Sequence, residues 1–228
     1  MHMKRISRPV TAITAAAVAF ASQSFAGEMK LEFGTFVDFG MVEQDVYVED
    51  GNGMVHRVAA KDVDAAMNAK IFGAKESPPF QPMNLEPTAT YEKGIDLGMT
   101  FSEWLSASAT GTVGCENGQA KVDISLSGLA PNAVYTMWNF IDAEPPTDPW
   151  QGILYPLGAR DGSDATFNSD ADGNARYQAT FEPCLQVSGT QTMAGIAVAW
   201  HPDGKTHGAS PGALGVDSFA QLMTALIE

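Results

Sequence analysis

Three residues near the C-terminus, His201, Asp203 and His207, are the clearest candidates for metal chemistry in this sequence. They flank a turn that follows a predicted strand, so the three side chains could converge on one ion. Two imidazoles and a carboxylate suit zinc or copper, with one position left open for water. His-x5-His spacing in a loop does not place both rings on one side, and a hydrogen-bonded structural turn is the alternative interpretation.

A second group of candidate ligands, Asp170 and Asp172, lies in the loop 168–174. Oxygen-bearing side chains at alternate positions before Gly173 resemble the start of a calcium-binding loop. The position at which such a loop carries a bidentate glutamate is occupied by Ala179. Asp-Gly turns between strands account for the same residues without an ion.

Trp150 is the candidate for binding an organic ligand, because Asp142, Glu144 and Asp148 are close to it in a proline-containing segment. An indole face beside carboxylates would suit a carbohydrate, and a tryptophan packed back onto its own domain is the alternative. Spacing alone assigns no pair of acids for glycoside hydrolysis.

Ser210 is the centre of a Gly-x-Ser-x-Gly sequence at 208–212, which matches the motif of a hydrolase nucleophile elbow. In such an elbow the residue after the serine donates its amide to the oxyanion, and Pro211 has no amide hydrogen. The pattern therefore indicates a tight loop. With no other catalytic set in view, we expect a non-enzymatic binding or structural protein. The alternative is a protein that binds copper or zinc, or a metal-dependent enzyme, that uses His201, Asp203 and His207 and has a metal ion as its cofactor.

The N-terminus predicts export. Lys4, Arg5 and Arg8 precede an apolar run of about a dozen residues, and Ser24 and Ala26 form a small-x-small cleavage site. This pattern is typical of a signal peptide at 1–26, while a spanning helix needs roughly 20 apolar residues. We therefore expect a periplasmic or extracellular protein with no membrane span.

Charge excludes one class of partner. The chain carries a formal net charge of −14, with 13 basic and 27 acidic residues. Three basic residues lie within 1–26, so the mature chain would keep 10 basic residues against 27 acidic ones, a net charge of −17. Such a chain repels phosphate backbones, and we expect no nucleic-acid partner. A protein or carbohydrate partner remains compatible with this charge.

Two cysteines, Cys115 and Cys184, remain in the mature chain. An even pair in an exported protein predicts a disulfide. The alternative, a redox or metal-binding thiolate pair, lacks the CxxC spacing that such pairs use.

The elements that must position these residues are mainly strands. Apolar residues alternate at Val122, Ile124 and Leu126, and further strands are predicted at 134–141, 175–181 and 193–200, each bounded by turn residues. A hairpin is predicted around 50–53. Helices are predicted at 62–72, after a capping box at 100–103, and at the C-terminus, where Phe219 begins an i, i+3, i+4 apolar pattern.

One corner of the predicted sheet carries a recognisable motif. Leu129, Pro131 and Tyr135 form a Leu-x-Pro-x-x-x-Tyr pattern that resembles the tyrosine corner of fibronectin type III and other immunoglobulin-like domains. The resemblance implies that the tyrosine hydroxyl bonds to main chain at the turn and that the leucine fills the core. It implies a fold and no activity.

A wider resemblance connects residues 101–111, 135–138 and 203–208 with a group of exported bacterial β-sandwich proteins whose function is not established. It covers about 79 to 212 and implies no activity. The corner is also similar, more weakly, to that of copper-zinc superoxide dismutase, where a His-x-His pair follows. Here the strand reads Thr-Met-Trp-Asn-Phe at 136–140, so those copper ligands are absent and dismutase activity is not expected.

These patterns together predict a mainly β protein. We expect a mixed N-terminal segment at 27–109 with a proline-rich connection at 77–98. An immunoglobulin-like antiparallel sandwich with one disulfide and a C-terminal helix should follow at 110–228.

Overall fold

The computed structural model describes residues 27–143 and 149–227. The predicted signal peptide at 1–26 and the side chains of Glu144 and Asp148 lie outside this part of the chain. The described chain is mostly β, as predicted. Its strands are β1 (Gly27–Phe33), β2 (Tyr47–Glu49), β3 (Met54–His56), β4 (Lys70–Ala74), β5 (Thr90–Thr100), β6 (Ser108–Glu116), β7 (Gln119–Ser127), β8 (Val134–Ala143), β9 (Ile153–Pro156), β10 (Thr166–Asn168), β11 (Ala175–Phe181), β12 (Thr192–His201) and β13 (Phe219–Ala225), and its α-helices are α1 (Val63–Ala66) and α2 (Phe101–Leu105).

Two antiparallel sheets pack together as a sandwich. The first has the order β1-β6-β7-β11, and the second has the order β10-β8-β12-β13 with β9 also paired to β8. Gly34 and Met223 join the two sheets, because each donates its amide to the carbonyl of the other at 3.0 and 2.9 Å. The strands predicted from alternation at 122–126, 134–141, 175–181 and 193–200 are all confirmed.

A small closed barrel, β2-β3-β5-β4, is inserted in the chain between β1 and the other sandwich strands. Its β2–β3 hairpin confirms the predicted turn at 50–53. The helix predicted at 62–72 is wrong over its second half, because Ile71 and Phe72 are buried in β4. The connection predicted at 77–98 is interrupted in the same way, since β5 begins at Thr90 and pairs with β3 and β4.

The capping box at the start of α2 is confirmed. Thr100 Oγ1 accepts the Glu103 amide at 3.3 Å, and Glu103 Oε2 accepts the Thr100 amide at 2.7 Å. The helix itself is only five residues long, because the chain enters β6 at Ser108. No helix among the described residues has the length and apolarity that crossing a bilayer requires.

The predicted C-terminal helix is wrong, because residues 219–225 form β13. This strand is buried on both faces, so apolar residues occur without the strict alternation of a half-exposed strand. A register shift opposite Val198 and Ala199 adds to the irregularity: Val198 pairs with Leu222, while Ala199 pairs with Ala220. Apolar spacing alone could not distinguish this arrangement from a short amphipathic helix.

One hydrophobic core extends from the N-terminal segment into the sandwich. Leu31, Ile71 and Trp104 pack in the same cluster as Ile124 and Tyr135. The predicted disulfide is also present: Cys115 at the end of β6 is bonded to Cys184, with 5.7 Å between the Cα atoms. A disulfide indicates a non-reducing compartment.

Candidate ligand-binding site

An apolar pocket of about 270 Å³ lies on one face of the second sheet. The opposite face of that sheet carries core residues such as Met137 and Ile196, because successive side chains of a strand point to opposite sides. All eighteen residues that line the pocket are apolar, six of them aromatic and four of them methionine. They are Phe36, Phe39, Met41, Phe80, Pro82, Met83, Trp138, Phe140, Trp150, Leu154, Met193, Ala197, Ala199, Pro211, Leu214, Ala220, Met223 and Ala225.

Small residues on the central strand create the floor of the pocket. Ala197 on β12 lies between Trp138 of β8 and Met223 of β13 in the strand register. One step along the sheet, Gly195 lies opposite Phe140. Large side chains on the outer strands and small ones between them leave a depression in the sheet surface.

Gly195 is required for this arrangement by close contact. A Cβ atom at this position would lie 2.2 Å from the Phe140 ring and 2.2 Å from the carbonyl oxygen of Thr224. The absence of a side chain thus lets the Phe140 ring lie across β12, at the edge of the pocket.

Aromatic rings form the wall opposite the sheet. Phe36 and Trp150 each contact Phe80 edge-to-face, with 5.6 Å between ring centroids in both pairs. The Trp150 amide also donates to the Phe80 carbonyl at 2.8 Å. Such pairs add roughly 0.5–1.5 kcal/mol each beyond the area they bury.

The mouth of the pocket has an exposed apolar rim. Phe39 is 44% exposed and Met83 is 49% exposed, although both side chains line the pocket. Large apolar side chains held at a pocket entrance are typical of binding sites for apolar molecules.

A buried polar segment, Glu43, Gln44 and Asp45, lies behind the pocket walls. Glu43 Oε1 accepts the Val37 amide at 3.3 Å, and its Oε2 accepts the indole N–H of Trp104 at 2.8 Å. Gln44 Oε1 accepts the amide of Gln81 at 2.7 Å. The three side chains are shielded from water, and protein groups satisfy their hydrogen bonds.

Asp45 and Arg57 complete this buried polar group. Asp45 Oδ2 accepts the Ala220 amide at 2.8 Å. The Arg57 guanidinium donates to the carbonyl of Gln44 at 2.9 Å and to that of Pro79 at 2.8 Å. The guanidinium carbon also lies 5.5 Å from the centroid of the Tyr47 ring, so the cation contacts an aromatic face as well.

Burial strongly perturbs both carboxyl groups. Burial raises the pKa of Glu43 to about 8, and the Trp104 and Val37 hydrogen bonds only partly offset it. Burial likewise raises the pKa of Asp45 to about 7, against the opposing effects of the Ala220 amide and the Arg57 charge. Both acids therefore change charge near neutral pH, far above the range of exposed carboxyls.

His201, the first predicted metal ligand, is buried at the end of β12. Its Nε2 lies 2.6 Å from Thr136 Oγ1, which accepts the indole N–H of Trp138 at 2.7 Å. The single threonine hydrogen can then donate to Nε2, which fits a neutral imidazole. Burial is the main reason that the pKa of His201 is lowered to about 4, and the neighbouring His207 lowers it further.

The structure brings the other two predicted ligands close to His201. The rings of His201 and His207 are 5.4 Å apart at their centroids, and His207 Nε2 lies 3.8 Å from Asp203 Oδ2. Neither His201 Nδ1 nor His207 Nε2 has a hydrogen-bond partner. Even so, within residues 27–143 and 149–227 no three His, Cys, Asp or Glu side chains are grouped as a metal ion would require.

The predicted calcium ligands occupy a turn. Asp170 Oδ1 accepts the amides of Asp172 at 2.9 Å and Asn174 at 2.8 Å. The Asn174 main-chain hydrogen bond lowers the pKa of Asp170. This carboxylate therefore has a structural role in the loop between β10 and β11.

The remaining sequence candidates have simple surroundings. Trp150 lines the apolar pocket, whereas its predicted neighbours Glu144 and Asp148 lie outside the described residues. Ser210 is exposed, and its hydroxyl accepts the Gly212 amide at 3.4 Å. At the predicted corner, Tyr135 Oη accepts the Ala130 amide at 2.8 Å, Leu129 is buried, and Pro131 lies at the turn.

Sequence reasoning missed the pocket and the buried acids. One signal was available: Met193, Gly195, Ala197 and Ala199 alternate along β12, so the face they share carries mostly small residues. The acids gave no comparable signal, because a Glu-Gln-Asp run is ordinarily exposed.

Comparison of the chain with protein-family models, with curated proteins and with solved structures finds no significant match.

Proposed function

We propose that this protein is a non-enzymatic binding protein that holds a small, neutral, apolar molecule in the pocket on its second sheet. The observation that carries the proposal is the pocket lining, which is apolar at all eighteen positions. Apolar concave sites with aromatic walls are the usual form of small-molecule binding sites. No group in the lining could act as a nucleophile or a general base, which supports binding rather than catalysis.

The pocket volume limits the size of the ligand. A cavity of roughly 150 Å³ can hold benzene, so about 270 Å³ corresponds by proportion to about ten non-hydrogen atoms. A two-ring aromatic or a medium-length alkyl chain has this size. The half-exposed rim would let a longer molecule extend into solvent.

The charge of the protein disfavours an anionic ligand. The sequence carries a net charge of −14, and an anionic head group would meet an unfavourable field as it approached. The lining also offers no cation to pair with an acid group. A free carboxylate or phosphate is thus a poor candidate.

We place this binding function in the periplasm or outside the cell. The signal pattern at 1–26 and the Cys115–Cys184 disulfide support this location. Intact mass of the exported protein tests it: the expected chain begins at Gly27 and lacks two hydrogens relative to the reduced form.

Titration with naphthalene and with 1-decanol tests the proposed ligand class. Trp138 and Trp150 line the pocket, so bound probe should change tryptophan emission in a saturable way, and it should raise the unfolding temperature. Sodium decanoate at the same concentrations is the matched anionic probe and should bind more weakly than 1-decanol. Absence of saturable binding by both neutral probes would refute the proposal.

The metal site at His201, Asp203 and His207 stays a prediction. One unpartnered ring nitrogen, His207 Nε2, supports it. His201 Nδ1 carries the ring hydrogen when Nε2 accepts from Thr136, and the described residues hold no grouped ligand set, so neither observation supports it. Elemental analysis after dialysis against zinc or copper gives the answer: one tightly held ion per chain that is lost in His207→Gln would establish the site.

A further inference from the structure

We propose that Glu43, Gln44 and Asp45 are positioning residues of the apolar pocket, which together hold its separate walls at the distance that a ligand requires. This inference rests on the proposed function, because it concerns how the same pocket keeps its shape. None of the three side chains lines the pocket, so each would act through a neighbouring residue.

Each of these residues binds a different wall. Glu43 accepts the amide of Val37, which follows the lining residue Phe36 in the chain. Gln44 accepts the amide of Gln81, between the lining residues at 80 and 82. Three consecutive residues thus reach the turn after β1, the proline-rich segment and, through Asp45, the strand β13.

The proline-rich wall has a second attachment to the same segment. Arg57 donates to the carbonyl of Pro79, immediately before Phe80, and to the carbonyl of Gln44. Residues 79–83 contain no regular secondary structure, so side-chain hydrogen bonds and ring contacts must define their position. Loss of this attachment should release Phe80, Pro82 and Met83 from the pocket.

Two of the three residues carry ionisable groups with few opposite charges near them. Glu43 faces the like charge of Asp45. Asp45 interacts electrostatically with Arg57 and with the hydroxyl of Tyr47, which also interacts with Tyr91. Among the described residues, Arg57 is the cation that acts on Asp45, and the groups that act on Glu43 include no cation. Ionising both acids would therefore leave negative charge uncompensated.

This arrangement makes the shape of the pocket depend on pH. Burial raises the pKa of both acids toward neutrality, so in the closed pocket they hold their protons at pH values where hydrated carboxyls have lost them. Any conformation that exposes the segment to water is favoured by ionisation, and it becomes more populated as pH rises to about 8. A ligand that binds only the closed pocket must then bind more weakly.

The first test measures the affinity of the protein for naphthalene between pH 5.5 and 8.5, with tryptophan emission as the readout. The affinity of wild-type protein should fall as pH rises over this range, by up to about tenfold per pH unit for each linked proton. Glu43→Gln and Asp45→Asn keep a neutral side chain at every pH, and each should flatten the profile. Glu32→Gln, an exposed acid on β1, is the matched control and should keep the wild-type profile.

Gln44→Ala separates positioning from titration. It removes the bond to the amide of Gln81 and leaves both acids in place. We expect weaker binding at every pH with an unchanged slope against pH. Equal affinity in Gln44→Ala and wild type would contradict a role for Gln44 in positioning.

A ligand-free measurement keeps the inference testable whatever the probe does. Amide hydrogen exchange, corrected for its intrinsic pH dependence, should show residues 36–41 and 79–83 losing protection as pH rises from 5.5 to 8.5 in wild type. In Glu43→Gln and Asp45→Asn this loss should be smaller. Identical exchange in wild type and both variants would overturn the inference, even if naphthalene binds.

The two failures are distinguishable. Pocket walls that loosen with pH, in a protein that binds neither neutral probe, would leave the positioning role standing and remove the proposed function. Saturable probe binding with flat pH profiles in wild type and variants alike would leave the proposed function standing and remove the positioning role.

Discussion

Tyr135 Oη and Gln221 Oε1 form a buried hydrogen bond of 3.0 Å that joins β8 to β13. The same tyrosine oxygen accepts the Ala130 amide, so its hydroxyl is both a donor and an acceptor. Gln221 in turn donates from Nε2 to the carbonyl of Trp104 at 3.1 Å. The corner tyrosine thereby connects the sandwich to the helix α2 that precedes it.

We expect Tyr135→Phe to lower the free energy of unfolding by about 1–3 kcal/mol, because the amide of Ala130 would be left buried without a partner. Gln221 would lose its donor at the same time. Urea unfolding at pH 7 measures the change. Tyr155→Phe, on the short strand β9, is the control, and an equal loss in both variants would argue against a special role for the corner.

Ala197→Leu should fill the pocket. The side chain points into empty space from the floor, so the free energy of unfolding should change by less than about 1.5 kcal/mol while naphthalene affinity falls at least about tenfold. Ala65→Leu, an exposed position in α1, should leave affinity unchanged. Full naphthalene affinity in Ala197→Leu would show that the probe binds elsewhere.

Asp45 should make the folded state less stable as pH rises. Its pKa is raised from 3.8 to about 7, so the folded state retains a proton that the unfolded state releases between these values. Stability from the neutral form is complete below pH 3.8 and is lost as pH rises through 7. The unfolding free energy of Asp45→Asn relative to wild type should therefore increase from pH 4 to 7 and then level off. Asp64→Asn, an exposed acid in α1, should show no such trend.

His201 should have the opposite effect at lower pH. Its pKa is lowered from 6.5 to about 4, so the unfolded state binds a proton first as pH falls. The stability contributed by the neutral imidazole is present above pH 6.5 and is lost as pH falls toward 4. The difference in unfolding free energy between wild type and His201→Gln should shrink over this range. His56→Gln on β3 is the control, and a constant difference for His201→Gln would contradict the assignment of a neutral buried ring.

Replacing both cysteines by serine should lower the free energy of unfolding by about 4 kcal/mol. The estimate follows from the chain entropy of the loop between Cys115 and Cys184, which are separated by 69 positions. Chemical unfolding of the double variant and of oxidised wild type, both without reductant, measures it. Equal stability of oxidised and reduced wild type would show that the bond adds little.

Sequence alone determined the strand-rich class of this protein, the disulfide and the capping box. The alternation at 122–126 shows that one face of the strand is buried. This pattern can be read from residues adjacent in sequence, without knowledge of what packs against that face. The Thr100–Glu103 pair is local as well, because its hydrogen bonds join residues three apart. With two cysteines in the sequence, a single intramolecular pairing was available.

Tertiary structure alone decided the C-terminal strand, the pocket and the state of the buried acids. Residues 219–225 are covered on both faces by segments distant in sequence, and this removes the alternation that marks a strand. The pocket draws its lining from positions between 36 and 225. Glu43 and Asp45 were indistinguishable from surface acids, because the Trp104 indole and the Ala220 amide that bind them reach the site only when the chain has folded. Periodicity records which side of an element is buried, but it does not record what buries it.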